Sequence, residues 1–126
     1  METNQSTKHF SHTVPFLPVR DLNETIAYYR DVLGFSNEWF WGDPPTDAGI
    51  RRDEMSLLFG KDNGMLEHMQ GFEIMFFVKG IDAIYEEQKQ KGVKIIDEIE
   101  DKPWGTREYT IEEINGFHLR IAEGIS

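Results

Sequence analysis

One stretch of this sequence limits its folds more than any other, because it occurs twice. Val19-Arg20-Asp21-Leu22 opens it, and Leu22, Ile26, Tyr29 and Leu33 then recur at the spacing of one helix face. Asp21 and Glu24 have capping-box spacing, and Gly34 supplies the stop before Phe35 starts a new apolar run. Val78-Lys79-Gly80-Ile81 repeats the opening in type and order, and Gly92-Val93 repeats the stop. Between them Ile81, Ile84, Tyr85 and Gln88 share a face, and Glu87 with Lys91 makes an i,i+4 pair. A repeat at about half the chain length predicts two copies of one supersecondary unit.

The rest of the sequence fills in the two units. Residues 13–19 are extended, but Pro15 and Pro18 each lack a backbone donor, which places the segment at a sheet edge or in an exchanged position. Strands are predicted at 35–41, 48–52 and 54–59, with the proline-containing residues 42–47 as a loop. Residues 61–70 form a polar connector, and residues 1–12 a flexible leader. The second unit gives strands at 71–78, 93–99, 107–112 and 117–123, with an Asn115-Gly116 hairpin signal before the last. Each unit therefore reads β-α-β-β-β. The expected fold is α+β, with modules at 13–60 and 71–123 inside a single domain spanning 13–126.

Composition narrows the function classes. Twenty-three acidic residues against 13 basic ones give a net charge of −10, a field that repels nucleic acid and favours cationic partners. No cysteine is present, which removes disulfide and thiolate chemistry. No apolar run is long enough to span a membrane, so a cytoplasmic protein is expected. Glycine-rich phosphate loops, nucleophile elbows and zinc-finger spacings are all missing.

Residues 19–35, together with Val14-Pro15, residues 48–53 and Pro103-Trp104-Gly105, resemble the vicinal oxygen chelate superfamily of glyoxalases, extradiol dioxygenases and bleomycin-resistance proteins. The likeness is closest to the bleomycin-resistance branch. It implies two β-α-β-β-β modules with sheets curled into half-barrels, assembled as a homodimer. It also carries the superfamily's metal-ligand positions onto Val14, the neighbourhood of Leu57, Glu73 and Arg120. Only Glu73 has a metal-binding side chain, whereas catalytic zinc takes three protein ligands. His9, His12, His68 and His118 show no metal spacing. No cofactor and no catalytic residue are assigned.

The same resemblance places Trp104 at a drug-stacking position and Trp39 in an aromatic cleft, while Asp47 stands where the branch carries an aromatic residue. Trp41, Met75 and His118 share strands with these positions and complete a candidate ligand set of Trp104, Trp39, Trp41, Glu73, Met75, His118 and Arg120. Aromatic faces in an acidic surrounding suit a flat, cationic ligand. The leading expectation is a metal-free protein that sequesters an aromatic or cationic small molecule such as an antibiotic. A metal-dependent lyase or dioxygenase with non-standard ligands is the alternative, as is a binder of an ordinary metabolite.

Overall fold

A computed structural model describes residues 7–126, so part of the expected 1–12 leader lies outside the described residues; residues 7–15 carry no regular element. The elements follow as β1 (Phe16–Val19), α1 (Leu22–Asp31), β2 (Ser36–Gly42), β3 (Pro45–Arg52), β4 (Met55–Lys61), α2 (Asn63–Glu67), β5 (Glu73–Phe77), α3 (Ile81–Gln90), β6 (Lys94–Asp101), β7 (Thr106–Glu112) and β8 (His118–Gly124). Two four-stranded mixed sheets result, ordered β1-β4-β3-β2 and β5-β8-β7-β6, and neither closes into a barrel. In each, the strand before the helix pairs in parallel with the last strand of its unit. The fold is α+β, built from two β-α-β-β-β units.

The helices form where the apolar periodicity puts them. Leu22, Ile26, Tyr29 and Leu33 are buried, Asp21 accepts the Glu24 N–H at 2.8 Å, and Gly34 turns the chain at φ +76°. The second helix solves its N-terminus differently. Gly80 has no capping side chain, so the Glu123 carboxylate of β8 accepts the Gly80 and Ile81 N–H groups at 3.2 and 2.9 Å.

Three expectations need correction. Residues 42–47 are not an open loop: β2 and β3 continue to Gly42 and from Pro45, which leaves only Asp43 and Pro44 in the turn. The 61–70 connector holds a short helix, α2, whose Asp62 side chain accepts the Met65 N–H and whose Leu66 is buried. Glu87 does not pair with Lys91. It takes the Arg52 guanidinium of the other unit at 2.9 Å, a cross-unit contact that helical spacing cannot reveal.

One continuous core joins the units. The helix-covered faces of both sheets supply it, with Phe35 against Phe76 across the junction at 6.3 Å between ring centres. A buried polar cluster reinforces this junction. Tyr29 O–H donates to Glu113 at 2.6 Å, Asn115 donates to Thr25 Oγ1 at 3.1 Å, and Arg20 N–H donates to Asn115 Oδ1 at 3.2 Å. The Asn115-Gly116 turn thus does more than reverse the chain, since it plugs the second unit onto α1. Among the described residues no helix is long and apolar enough to cross a membrane.

Candidate functional site

Each sheet turns one face to the core and leaves the other open. Strand register fixes what stands on the open faces, because directly paired residues point to the same side. On the first sheet one row across the strands is Trp39, Gly49, Leu58 and Phe16, and the next is Trp41, Asp47, Gly60 and Pro18. On the second sheet the matching rows are Asp97, Thr110, Arg120 and Met75, then Glu100, Glu108, Ala122 and Phe77.

The first open face is aromatic. A Cβ on Gly49 would come within 2.5 Å of the Trp39 indole, and one on Gly60 within 2.8 Å of the Phe16 ring. These strand glycines exist so that two aromatic rings can lie directly on the backbone. Phe16 (57%), Trp39 (46%) and Trp41 (68%) nevertheless stay well exposed. One side of Trp39 and of Phe16 rests on the sheet, and among the described residues much of the ring surface stays open.

The second open face is charged and organised by Glu108, a residue that sequence reasoning passed over. Arg120 Nε donates to Glu108 Oε1 at 2.7 Å, and Trp104 Nε1–H donates to Oε2 at 2.9 Å. The Thr106 hydroxyl donates to the same Oε2. Burial alone would push the Glu108 carboxyl up; the hydrogen bonds from Arg120, Thr106 and Trp104 outweigh it and hold the group down to about 2. Arg120 also lies 5.7 Å from the Trp104 ring centre and reaches Glu73 at 3.3 Å. Its principal partner is therefore Glu108, not Glu73, which remains half-exposed. His118 sits one row away, 3.7 Å from Glu112, which also takes Lys94 at 3.2 Å.

The candidate residues thus fall into two groups. Trp104, Glu73, Met75, His118 and Arg120 gather on the second face, and Trp39 and Trp41 stand on the first. The structure does not bring the two groups together within one chain. Phe16, Gly49, Gly60 and Glu108 join the list. The glycines carried the available signal, since glycine inside a strand marks a close approach. Glu108 carried none, because it alternates like any exposed strand residue.

The metal-ligand positions can also be placed. Leu57 is buried in the core, and the register puts Leu58 on the open face at the place that Arg120 holds in the second sheet. Val14 precedes β1. Val14, Leu58, Glu73 and Arg120 supply one carboxylate and one cation, a donor set that does not fit a divalent metal. Among the described residues no three His, Cys, Asp or Glu side chains group closely enough to hold one.

A profile of the Glyoxalase/Bleomycin resistance protein/Dioxygenase superfamily matches residues 9–121. No curated protein matches the sequence closely enough to count as a relative. Among solved structures, TioX from Micromonospora sp. ML1 superposes with a TM-score of 0.78 at 18% identity, over 92% of this chain and all of that one. The bleomycin-binding protein of Streptomyces verticillus, complexed with copper(II)-bleomycin, gives 0.77 at 22% identity, over 94% of this chain and 99% of its own. A glyoxalase-related enzyme from Clostridium phytofermentans gives 0.77 at 22%, over 96% and 100%.

Proposed function

Because the chain belongs to the glyoxalase/bleomycin resistance protein/dioxygenase superfamily, with its profile matching from residue 9 to 121, we propose that it is a binding protein that sequesters a flat, cationic small molecule such as an antibiotic. The observation that carries this reading is the pair of open faces. One offers uncovered Trp39, Trp41 and Phe16 rings for stacking; the other offers Glu73, a half-exposed carboxylate with one weak contact at 3.3 Å. Stacking on an indole plus attraction to a carboxylate is the chemistry that captures an aromatic cation. The bleomycin complexes among structural neighbours support small-molecule capture by this fold.

In this reading two copies complete the site. Exposed Trp39, Trp41 and Phe16 on one face and Trp104, Met75 and Phe77 on the other are apolar surface that a partner copy would cover. A two-fold dimer that sets the aromatic face of one copy against the charged face of the other covers both and makes two equal sites.

The test is a tryptophan-fluorescence titration with bleomycin and with proflavine, run beside light scattering. Saturable quenching, weakened by salt, and a dimer mass are expected. Absence of quenching by either probe overturns the antibiotic reading. Elemental analysis after incubation with zinc, nickel, manganese or iron and dialysis tests the metal-enzyme alternative. Far less than one ion per chain is expected, and stoichiometric retention lost in Glu73→Ala favours the alternative.

A further inference from the structure

A further concavity is centred away from the Trp39 and Glu108 surfaces, although Met75 and Phe77 of the second open face reach its wall. A cleft of about 890 Å³ lies between the two units, on the side where the helix-covered faces meet. Leu33, Phe35, Leu57, Phe76, Ile84 and Ile121 give it apolar walls. The volume lies in the range of small-molecule pockets, which combine such walls with a few placed polar groups.

Gln88 supplies one such group. It lines the cleft and is 95% buried, with a residual exposure of 5%. Its carbonyl oxygen accepts the Tyr109 hydroxyl at 2.7 Å, which fixes the carboxamide. Its Nε2 donors then meet no acceptor among the described residues. A buried donor left without a partner is costly, so its persistence needs an explanation. Arg52 lines the same cleft, with its guanidinium anchored by the Leu33 carbonyl at 2.8 Å and by Glu87 at 2.9 Å. Two donor-bearing side chains, the buried Gln88 and the part-buried Arg52, thus end on this cavity, whose lining also includes the exposed Asp53 and Glu54.

We propose that this inter-unit cleft is a second small-molecule site, which takes an apolar molecule ending in one oxygen acceptor. The oxygen accepts from the Gln88 amide while the apolar body lies along Leu57, Phe76 and Ile84. Carboxylates and neutral carbonyls share this chemistry. The cleft shares Met75 and Phe77 with the second open face but none of Trp39, Trp41, Glu73 or Glu108, so a test that reads Gln88 and Ile84 stands apart from the proposed stacking function.

The experiment uses the full ¹⁵N-labelled chain titrated with octanoate and, separately, with 2-octanone. Saturable movement of the Gln88 side-chain amide resonances and of Val78 and Ile84 is expected. Binding of octanoate alone assigns the acceptor to a carboxylate, and equal binding assigns it to a carbonyl; either result supports the site. Gln88→Met should weaken binding about 5- to 20-fold, as expected for one buried hydrogen bond. Ile84→Trp fills the cleft and should abolish binding with the spectrum otherwise folded, which keeps the test decisive should Gln88→Met unfold. Lack of saturation with both probes, unchanged affinity in Gln88→Met, or movement confined to the Trp39 and Trp104 indole signals overturns the proposal.

Discussion

The two sheets share strand order, parallel pairing and helix placement, yet residue for residue their open faces differ in kind. Trp39 in the first sheet stands where Asp97 stands in the second, Gly49 where Thr110 stands, Leu58 where Arg120 stands, and Phe16 where Met75 stands. The first face places one glycine in each middle strand, Gly49 and Gly60, so that rings can lie flat. The second fills its middle with a guanidinium and a buried carboxylate that satisfy each other. One backbone plan therefore supports an apolar stacking surface and a polar network. What distinguishes them is whether the central side chain is missing or paired. Glu108 and Arg120 on the second face already hold each other, whereas among the described residues the rings on the first pack on glycine backbone and keep much of their surface open. That contrast predicts a division of labour, in which changes to the Glu108–Arg120 network register mainly as stability, and changes to the rings of the first face and to the loosely held Glu73 mainly as binding.

The largest effect should come from Glu108. Removing one member of a buried ion pair strands the other, and here it also unties Trp104 and Thr106. Arg120 keeps partial access to water, which moderates the cost. Glu108→Ala should lose about 2–4 kcal/mol of unfolding free energy in urea. Trp39→Ala should lose less, about 1–2 kcal/mol, because close to half of the residue is exposed and its loss strands no charge. Equal losses in the two variants would erase the contrast.

These assignments show which parts of the molecule could be read from the sequence. Helix faces, strand identities and the repeat depend on local periodicity and on turn residues, and those patterns are complete in the chain. Register is not local: whether Leu57 or Leu58 faces outward depends on a pairing with Phe16 some forty residues away. The hub role of Glu108 likewise depends on Arg120 and Trp104 arriving from another strand and a turn. Arg52 with Glu87, and Asn115 with Thr25 and Arg20, are cross-unit partners for the same reason. The aromatic face was half legible. Its tryptophans stood out, but the glycines beneath them acquire meaning only once the strands are paired.

A comparable effect should appear with acid. The Glu108 carboxyl is held near 2 when folded, against an ordinary value of 4.5. Its contribution is fully present above about pH 4.5 and is lost as pH falls toward 2, on the order of 3 kcal/mol across the window. Glu113, buried at the unit junction, works the other way. Burial pushes its carboxyl up against hydrogen bonds from Tyr29, Asn115 and Phe117. Its neutral form is the one favoured by folding, so its contribution is present at low pH and declines as pH rises through its folded value. Urea midpoints measured from pH 2 to 7 should show a steep acid limb in the wild type. Glu108→Gln should flatten that limb, and Glu113→Gln should leave it. Retention of the full limb in Glu108→Gln would move its cause elsewhere.

A smaller effect, seen mainly in binding, comes from exchanging a single position between the faces. Gly49→Thr gives the first sheet the residue that the second has in its place. The new Cβ falls within 2.5 Å of the indole, so Trp39 must leave the sheet surface. Threonine is a better strand former than glycine, which offsets part of the lost Trp39 packing, so stability should change by no more than about 1 kcal/mol. Proflavine affinity should drop about 3- to 30-fold, the range for losing one aromatic stacking contact. Unchanged affinity would separate Trp39 from the ligand and leave Trp41 and Phe16 to carry the face.

Glu73→Gln should have the smallest effect of all, and its direction separates the two roles that one carboxylate can play. If Glu73 mainly served to neutralise Arg120, its loss would cost stability. The geometry argues otherwise: the contact is 3.3 Å long, half of the Glu73 side chain is exposed, and Glu108 already holds the same guanidinium at 2.7 Å. Exposed pairs of this kind contribute about 0–1 kcal/mol, and a second pair on a neutralised arginine falls at the low end. The urea midpoint should therefore barely move. Binding of an aromatic cation should weaken by about 2- to 5-fold at low salt, and the loss should vanish as ionic strength rises, since an exposed charge acts over roughly 8–10 Å before it is screened. A neutral aromatic probe should bind the variant and the wild type alike. A stability loss as large as that of Glu108→Ala, or weakening that persists in high salt and extends to the neutral probe, would make Glu73 part of the polar framework and not the point where a cation is received.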